Sequence, residues 1–159
     1  FSTFIAQNYG AGKKERIRAG LKGAVITAVV FGAAASAVVW FLARPLMLLF
    51  VDAGETAILA EGVCYLHIEG AFYCGIGCLF LLYGLYRAIG RPGMSVVLTV
   101  ISLGTRVALA YLLSAVPAWG VMGIWWSVPI GWFLADAAGF LYYAVRKKRL
   151  LAWKEKRAD

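Results

Sequence analysis

Long apolar stretches alternate along this chain with short clusters of Lys, Arg, Gly and Pro, and the stretches have membrane length. A hydrocarbon core of ~30 Å takes about 20 helical residues, and four stretches meet that measure. The first covers 23–44, with Gly23 through Leu42 free of any charge and closed by Arg44 and Pro45. The second covers 58–86 and ends in Arg87-Ala88-Ile89-Gly90-Arg91-Pro92-Gly93, whose Gly and Pro stop a helix. The third covers 94–116, contains Arg106 and ends at Pro117; the fourth covers 121–145 and contains Pro129 and Asp136. Residues 1–9 read as the last turns of an earlier helix, 10–22 as a loop opened by Gly10-Ala11-Gly12, and Pro45 to Val51 as an outer extension of the first span at the interface. The basic stretch 146–159 reads either as a short amphipathic helix with Leu150, Leu151 and Trp153 on lipid, or as a frayed, solvated tail. The pattern predicts an all-α integral membrane fold: four transmembrane helices plus the end of a preceding one.

Composition supports that reading. Hydrophobic residues make up 62% of the 159 and charged residues 15%, with a mean hydropathy of +0.78. A single small core cannot hide such an excess, so lipid must be much of the solvent. A soluble enzyme, a disordered tail and a disulfide-stapled secreted module are thereby excluded. The chain begins at Phe1 without an initiator Met or a signal-peptide pattern, and reads as a piece of a longer protein. Sixteen Lys and Arg stand against eight Asp and Glu. Five of these bases follow the first turn, one (Arg44) lies between the first two spans, two (Arg87, Arg91) precede the third span, and seven occupy the tail. The rule that cytoplasmic loops carry the bases places the first loop, the Arg87–Arg91 loop and the C-terminus inside the cell. Nucleic acid is not an expected partner, because no water-facing domain is available to carry a basic patch.

An ionised side chain in the bilayer core costs at least ~2.5 kcal/mol, so the buried charges need a reason. At 1.5 Å per residue, Arg106 lies ~18 Å from the start of its span and Asp136 ~15 Å from Arg146, both near mid-bilayer, while Glu69 is ~27 Å from Arg87. Two acids and one base leave a negative balance that suits a cation. Stepping 100° per residue, Glu69 shares a face with Tyr65, Phe72, Tyr73, Phe80 and Tyr83; Arg106 with Ser95, Thr99 and Ser102; and Asp136 with Trp125, Pro129, Trp132 and Tyr143. A carboxylate among aromatic faces can hold an organic cation, a proton or a small metal ion. The competing reading makes Arg106 a pairing partner for Asp136 or Glu69 that locks two helices together. His67, Cys74 and Cys78 also align, but the ~10 Å rise from His67 to Cys74 is too long for one ion, so no resident metal or cofactor is expected. Gly32 and Ser36, four apart, predict a close helix contact, and Pro129 a kink or hinge.

The opening Ser2-Thr3-Phe4-Ile5-Ala6-Gln7-Asn8-Tyr9-Gly10-Ala11-Gly12-Lys13, followed by Glu15-Arg16-Ile17, closely resembles a signature of the multidrug and toxic compound extrusion (MATE) transporters. Tyr65-Leu66-His67-Ile68, Tyr86-Arg87-Ala88-Ile89-Gly90-Arg91-Pro92 and Arg106 are similar in kind. The resemblance covers essentially the whole chain. It implies helices nine to twelve of a twelve-helix, two-lobe protein in the cell membrane, lacking here its N-terminal lobe and the first helix of the second lobe. It further implies a secondary active antiporter that exports organic cations against Na+ or H+ by alternating access, with no catalytic residues. Glu69 lies on the helix where some branches carry an acid of a cation site. Glu69 and Asp136 are therefore the candidate cation or proton carriers, Arg106 their partner, and Tyr65 and Tyr73 aromatic lining. Gln7, Asn8 and Gly10 are read as a structural latch in which amides cap carbonyls and glycine allows the turn. Two other classes stay open: a lipid-linked precursor flippase of the same superfamily, and a non-transporting membrane assembly subunit.

Overall fold

The computed structural model describes residues 1–152, and every regular element among them is an α-helix. They are α1 (Ser2–Gly10), α2 (Lys14–Met47), α3 (Thr56–Gly70), α4 (Tyr73–Ala88), α5 (Pro92–Ser114) and α6 (Gly120–Leu150). Helices α2, α5 and α6 are each long and apolar enough to cross a membrane, and α3 with α4 makes a fourth crossing if the bent pair is one span. Trp153 and the rest of the basic tail lie outside the described residues.

Two helix ends close by the same device. Gly12 (φ 67°) and Gly90 (φ 70°) adopt left-handed backbone, which brings the Lys13 N–H onto the Asn8 carbonyl at 2.9 Å and the Arg91 N–H onto the Tyr86 carbonyl at 2.8 Å. These are the long bonds of a glycine helix stop. Pro92 then opens α5, where its missing N–H costs nothing. Gly10, expected to share the first turn, remains the last helical residue of α1. Asn8 is buried and donates from Nδ2 to the Phe4 carbonyl at 2.8 Å.

The helices run further than the apolar pattern alone indicated. The expected loop over 10–22 is a turn of only Ala11, Gly12 and Lys13; the rest is the start of α2. Ile17 and Leu21, one helical turn apart, are 1% and 7% exposed, and Arg18 reaches Glu15 at 2.7 Å. That segment is therefore amphipathic helix packed on the bundle. At its other end α2 passes through Pro45 to Met47 before turning, a position so near the end that few turns feel the missing donor. The basic tail likewise begins as helix, because α6 continues to Leu150. Leu150 and Leu151, expected on lipid, are instead 5% and 2% exposed in the core. Pro129 sits within α6 without interrupting it.

The second span departs most from expectation. It breaks at Ala71 and Phe72, and its halves α3 and α4 meet at 48°. Helix α4 is central, touching α1, α2, α5 and α6, whereas the apolar windows of α2 and α5 are only 6% and 11% buried and face outward. Glycines set the closest approaches. A Cβ on Gly32 of α2 would stand 2.7 Å from the Cα of Cys74, which realises the close contact expected from Gly32 and Ser36. On α6, Gly123, Gly131 and Gly139 recur every eight residues. They meet the Leu113 side chain, the Ser102 carbonyl oxygen, and the side chains of Leu82 and Leu98 respectively. Such small-residue contacts let backbones pack closely where lipid offers no hydrophobic drive. The Tyr86 hydroxyl, fully buried, donates to the Gly139 carbonyl at 2.6 Å and ties α4 to the same seam.

Replacing Gly131 by Val would push a branched side chain onto the Ser102 carbonyl, 2.7 Å from the added Cβ, and should cost about 1–3 kcal/mol. The full-length protein in detergent should melt at a correspondingly lower temperature. Gly104→Ala, where nothing lies within 4 Å, should leave the melting temperature unchanged; equal melting of both variants would refute the packing role.

Candidate functional site

The elbow between α3 and α4 gathers most of the candidate residues. At 1.5 Å per residue, the 15 residues of α3 and the 16 of α4 give two arms of roughly 23 Å each, so the break falls midway along the span. Backbone groups freed there are caught locally. The Ala71 N–H donates to the His67 carbonyl at 3.2 Å, the Phe72 N–H to the Glu69 carbonyl at 3.3 Å, and the Gly75 N–H to the Phe72 carbonyl at 2.9 Å. Protein covers the elbow on both sides. Val39 of α2 presses on Gly70, where a Cβ would come within 2.7 Å, and α6 supplies Trp126, whose ring meets Phe72 edge-on at 5.7 Å.

Glu69 lies two residues before the break and is 7% exposed. Among the described residues it makes neither a hydrogen bond nor a salt bridge, the one ion pair within 4.0 Å being Arg18–Glu15. Arg106 is within electrostatic range of Glu69 and of Tyr65, and Tyr73 is within range of Tyr65. The Arg106 stem is held in place by α6, since a Cβ on Gly131 would sit 2.6 Å from its Cγ. Tyr65 packs edge-on against Trp125 at 5.8 Å and remains 43% exposed. A carboxylate, a guanidinium held off from direct pairing, and the rings of Tyr65, Tyr73, Phe72, Trp125 and Trp126 thus share one region. Chemically, a carboxylate with no protein donor is free to take a proton or a cation, and rings beside it favour an organic cation.

Asp136 does not join that group. Neither Glu69 nor Arg106 is among its electrostatic partners. Its Oδ1 is buried with no hydrogen-bond partner. Its Oδ2 faces the first turn of α4, 3.9 Å from the position of a Cβ on Gly75, with Trp132 alongside, and Cys78 is within electrostatic range. The expected locking pair of Arg106 with an acid is absent among the described residues, and the two acids occupy separate environments on either side of the elbow.

The elbow also dissolves the stripes expected from unbroken helical stepping. Phe80 and Tyr83 lie on α4, beyond the break from Glu69, and pack on each other at 6.0 Å. Ser95 donates to the Tyr83 carbonyl at 3.3 Å, and Thr99 Oγ1 lies 3.3 Å from the Tyr83 hydroxyl, so these polar groups join α4 to α5. His67 stacks on Trp40 at 4.2 Å and directs Nε2 to the Trp40 carbonyl at 3.1 Å; because a carbonyl only accepts, that nitrogen carries the proton. Among the described residues no three of His, Cys, Asp and Glu are placed to share a metal ion. Phe72, Gly75 and Trp126 were not singled out as site residues in the sequence. The glycines at 70, 75 and 77 inside one span were the available sign of a break.

Double-mutant cycles on thermal unfolding of the full-length protein should separate the two acids. Glu69→Gln and Arg106→Gln should be non-additive by more than about 0.5 kcal/mol, whereas Glu69→Gln and Asp136→Asn should add within about 0.5 kcal/mol. Strong coupling between the acids would contradict the separation.

Comparison with known proteins fits this architecture. The MatE family model matches residues 1–112. The chain is 30% identical over 144 residues to the probable multidrug resistance protein YpnP of Bacillus subtilis (strain 168), covering 89% of this chain and 31% of that protein. It thus spans about a third of that relative's length. No solved structure matches. With its apolar helices long enough for several crossings, the chain is part of a multi-pass membrane protein, and it belongs to the MatE family.

Proposed function

We propose that this chain is most of the second lobe of a secondary active multidrug exporter in the cell membrane. The exporter exchanges organic cations for Na+ or H+ by alternating access. The observation that carries the reading is the broken span: it sets Glu69, nine-tenths buried and making no hydrogen bond or salt bridge among the described residues, at mid-span beside aromatic rings and one arginine. Discontinuous helices at that depth are where secondary transporters bind substrate and coupling ion. On this proposal Glu69 carries the coupling ion or cationic substrate, Arg106 biases it toward release, and Tyr65 and Tyr73 line the path. Asp136, beyond the elbow, is a second proton or cation carrier of lesser weight. The N-terminal lobe and the missing first helix of this lobe supply the opposing wall, and the lysines and arginines set the C-terminus in the cytoplasm. A flippase for lipid-linked pyrophosphate would want a more cationic cavity than one arginine beside a glutamate. An assembly subunit has no need of an unpartnered buried acid.

Uptake of a fluorescent organic cation by vesicles carrying the full-length protein, under an imposed Na+ gradient and then an imposed H+ gradient, tests the proposal. Glu69→Gln should abolish gradient-driven movement while membrane insertion is retained, and Asp136→Asn should reduce it partially. Unchanged movement in Glu69→Gln, or none in the parent under either gradient, would sink the assignment.

A further inference from the structure

The basic end of the bundle holds a second feature that the elbow does not use. Between the first turns of α2 and the last turns of α6 lies a cavity of about 490 Å³. It is lined by Arg18, Lys22 and Lys147 and by the apolar side chains of Leu21, Phe140 and Ala144. Tyr143 also lines it, and among the described residues the Tyr143 hydroxyl oxygen is buried without a hydrogen-bond partner. Arg18 is already bonded to Glu15 at 2.7 Å. Lys22 and Lys147 make no ion pair among the described residues, so the lining keeps a positive balance even with Glu15 counted.

The height of the cavity in the membrane follows from its neighbours. Lys22 immediately precedes the charge-free run Gly23–Leu42, and Arg146 and Lys147 close the apolar run of α6. These cations therefore stand at headgroup level, with hydrocarbon beginning one turn deeper. Ile26, Leu141 and Val145, next along the two helices, are 54%, 65% and 70% exposed and offer an apolar wall for acyl chains. Cations, apolar side chains and a hydroxyl donor lining one cleft match an anionic phosphodiester that carries a lipid tail. The cavity volume falls within the roughly 300–1,000 Å³ of small-ligand sites.

We infer that the α2–α6 cleft is a binding site for an anionic phospholipid, with Lys22 and Lys147 on the phosphate and Tyr143 donating to one of its oxygens. The inference needs only that the chain spans a membrane. It stands whether or not Glu69 carries a coupling ion. A headgroup wedged between α2 and α6 would tie the ends of the lobe's outer helix and its last helix through the lipid.

Native mass spectrometry of the full-length protein in detergent, with added phosphatidylglycerol or phosphatidylcholine of matched chains, tests the site. Phosphatidylglycerol should be retained in preference. Lys22→Gln with Lys147→Gln should weaken that retention by roughly fivefold per cation, and Arg91→Gln, a base outside the cleft, should not. Tyr143→Phe removes only the hydroxyl and keeps the ring, so it tests the site without disturbing packing; it should weaken retention by a few-fold. Equal retention of the two lipids, or retention unchanged in the double lysine variant and in Tyr143→Phe, overturns the inference. Displacement of the bound lipid by millimolar glycerol phosphate would also overturn it, since the site would then read a soluble phosphate rather than a lipid.

Discussion

Backbone polar groups cannot be left bare in hydrocarbon, and the break between α3 and α4 obliges much of the surrounding packing. Non-helical backbone at membrane depth is tolerated only where protein or a water-lined cavity covers it. Here the cover is specific. The break is closed by bonds from Ala71, Phe72 and Gly75 to carbonyls within a few residues. Outside them, α2 is drawn in until Gly32 meets Cys74 and Val39 meets Gly70, while α6 lays Trp126 on Phe72. A side chain larger than hydrogen at Gly32 or Gly70 would hold α2 away and leave the elbow exposed to lipid.

The same requirement explains where the stability of this bundle resides. Its outward helices α2 and α5 bury little of their apolar windows, so their association cannot rest on hydrophobic burial of the kind that folds a soluble domain. It rests on close contact. The eight-residue recurrence of Gly123, Gly131 and Gly139 brings α6 against α5 and α4, and the Tyr86 hydroxyl bond to the Gly139 carbonyl fixes α4 to that seam. The denser core lies toward the basic end, where Ile5, Ile17, Leu82, Leu150 and Leu151 pack together. The elbow half is more open, and there Tyr65 and Phe72 present 43% and 37% of their surface.

Length and hydropathy made the helical membrane fold legible in the sequence, and the Gly-Pro stops at Gly12, Gly90 and Pro92 were legible because each acts locally. The elbow was not. A 48° bend depends on what α2 and α6 place against residues 70–75, and a single-span pattern does not carry that information. The consequence ran into the site: stepping by 100° through Phe72 put Phe80 and Tyr83 on the face of Glu69, when Tyr83 serves the α4–α5 contact and Phe80 packs on Tyr83. Leu150 and Leu151 were misplaced for a related reason, since their neighbouring charges gave no hint of the core that they join. Estimating depth from the helix ends brought Glu69, Arg106 and Asp136 to comparable levels. Depth fixes only one coordinate, and rotation about α6 turned Asp136 toward Gly75.

That rotation divides the electrostatics of the bundle into two unlike regions. Glu69 has a guanidinium within range and rings around it, so the field at its carboxylate is set partly by a fixed positive charge. Asp136 has no cation among its partners, and Oδ1 is shut away from any donor. Two acids in one bundle with such unequal surroundings cannot be interchangeable, and the elbow is the element whose bend separates them.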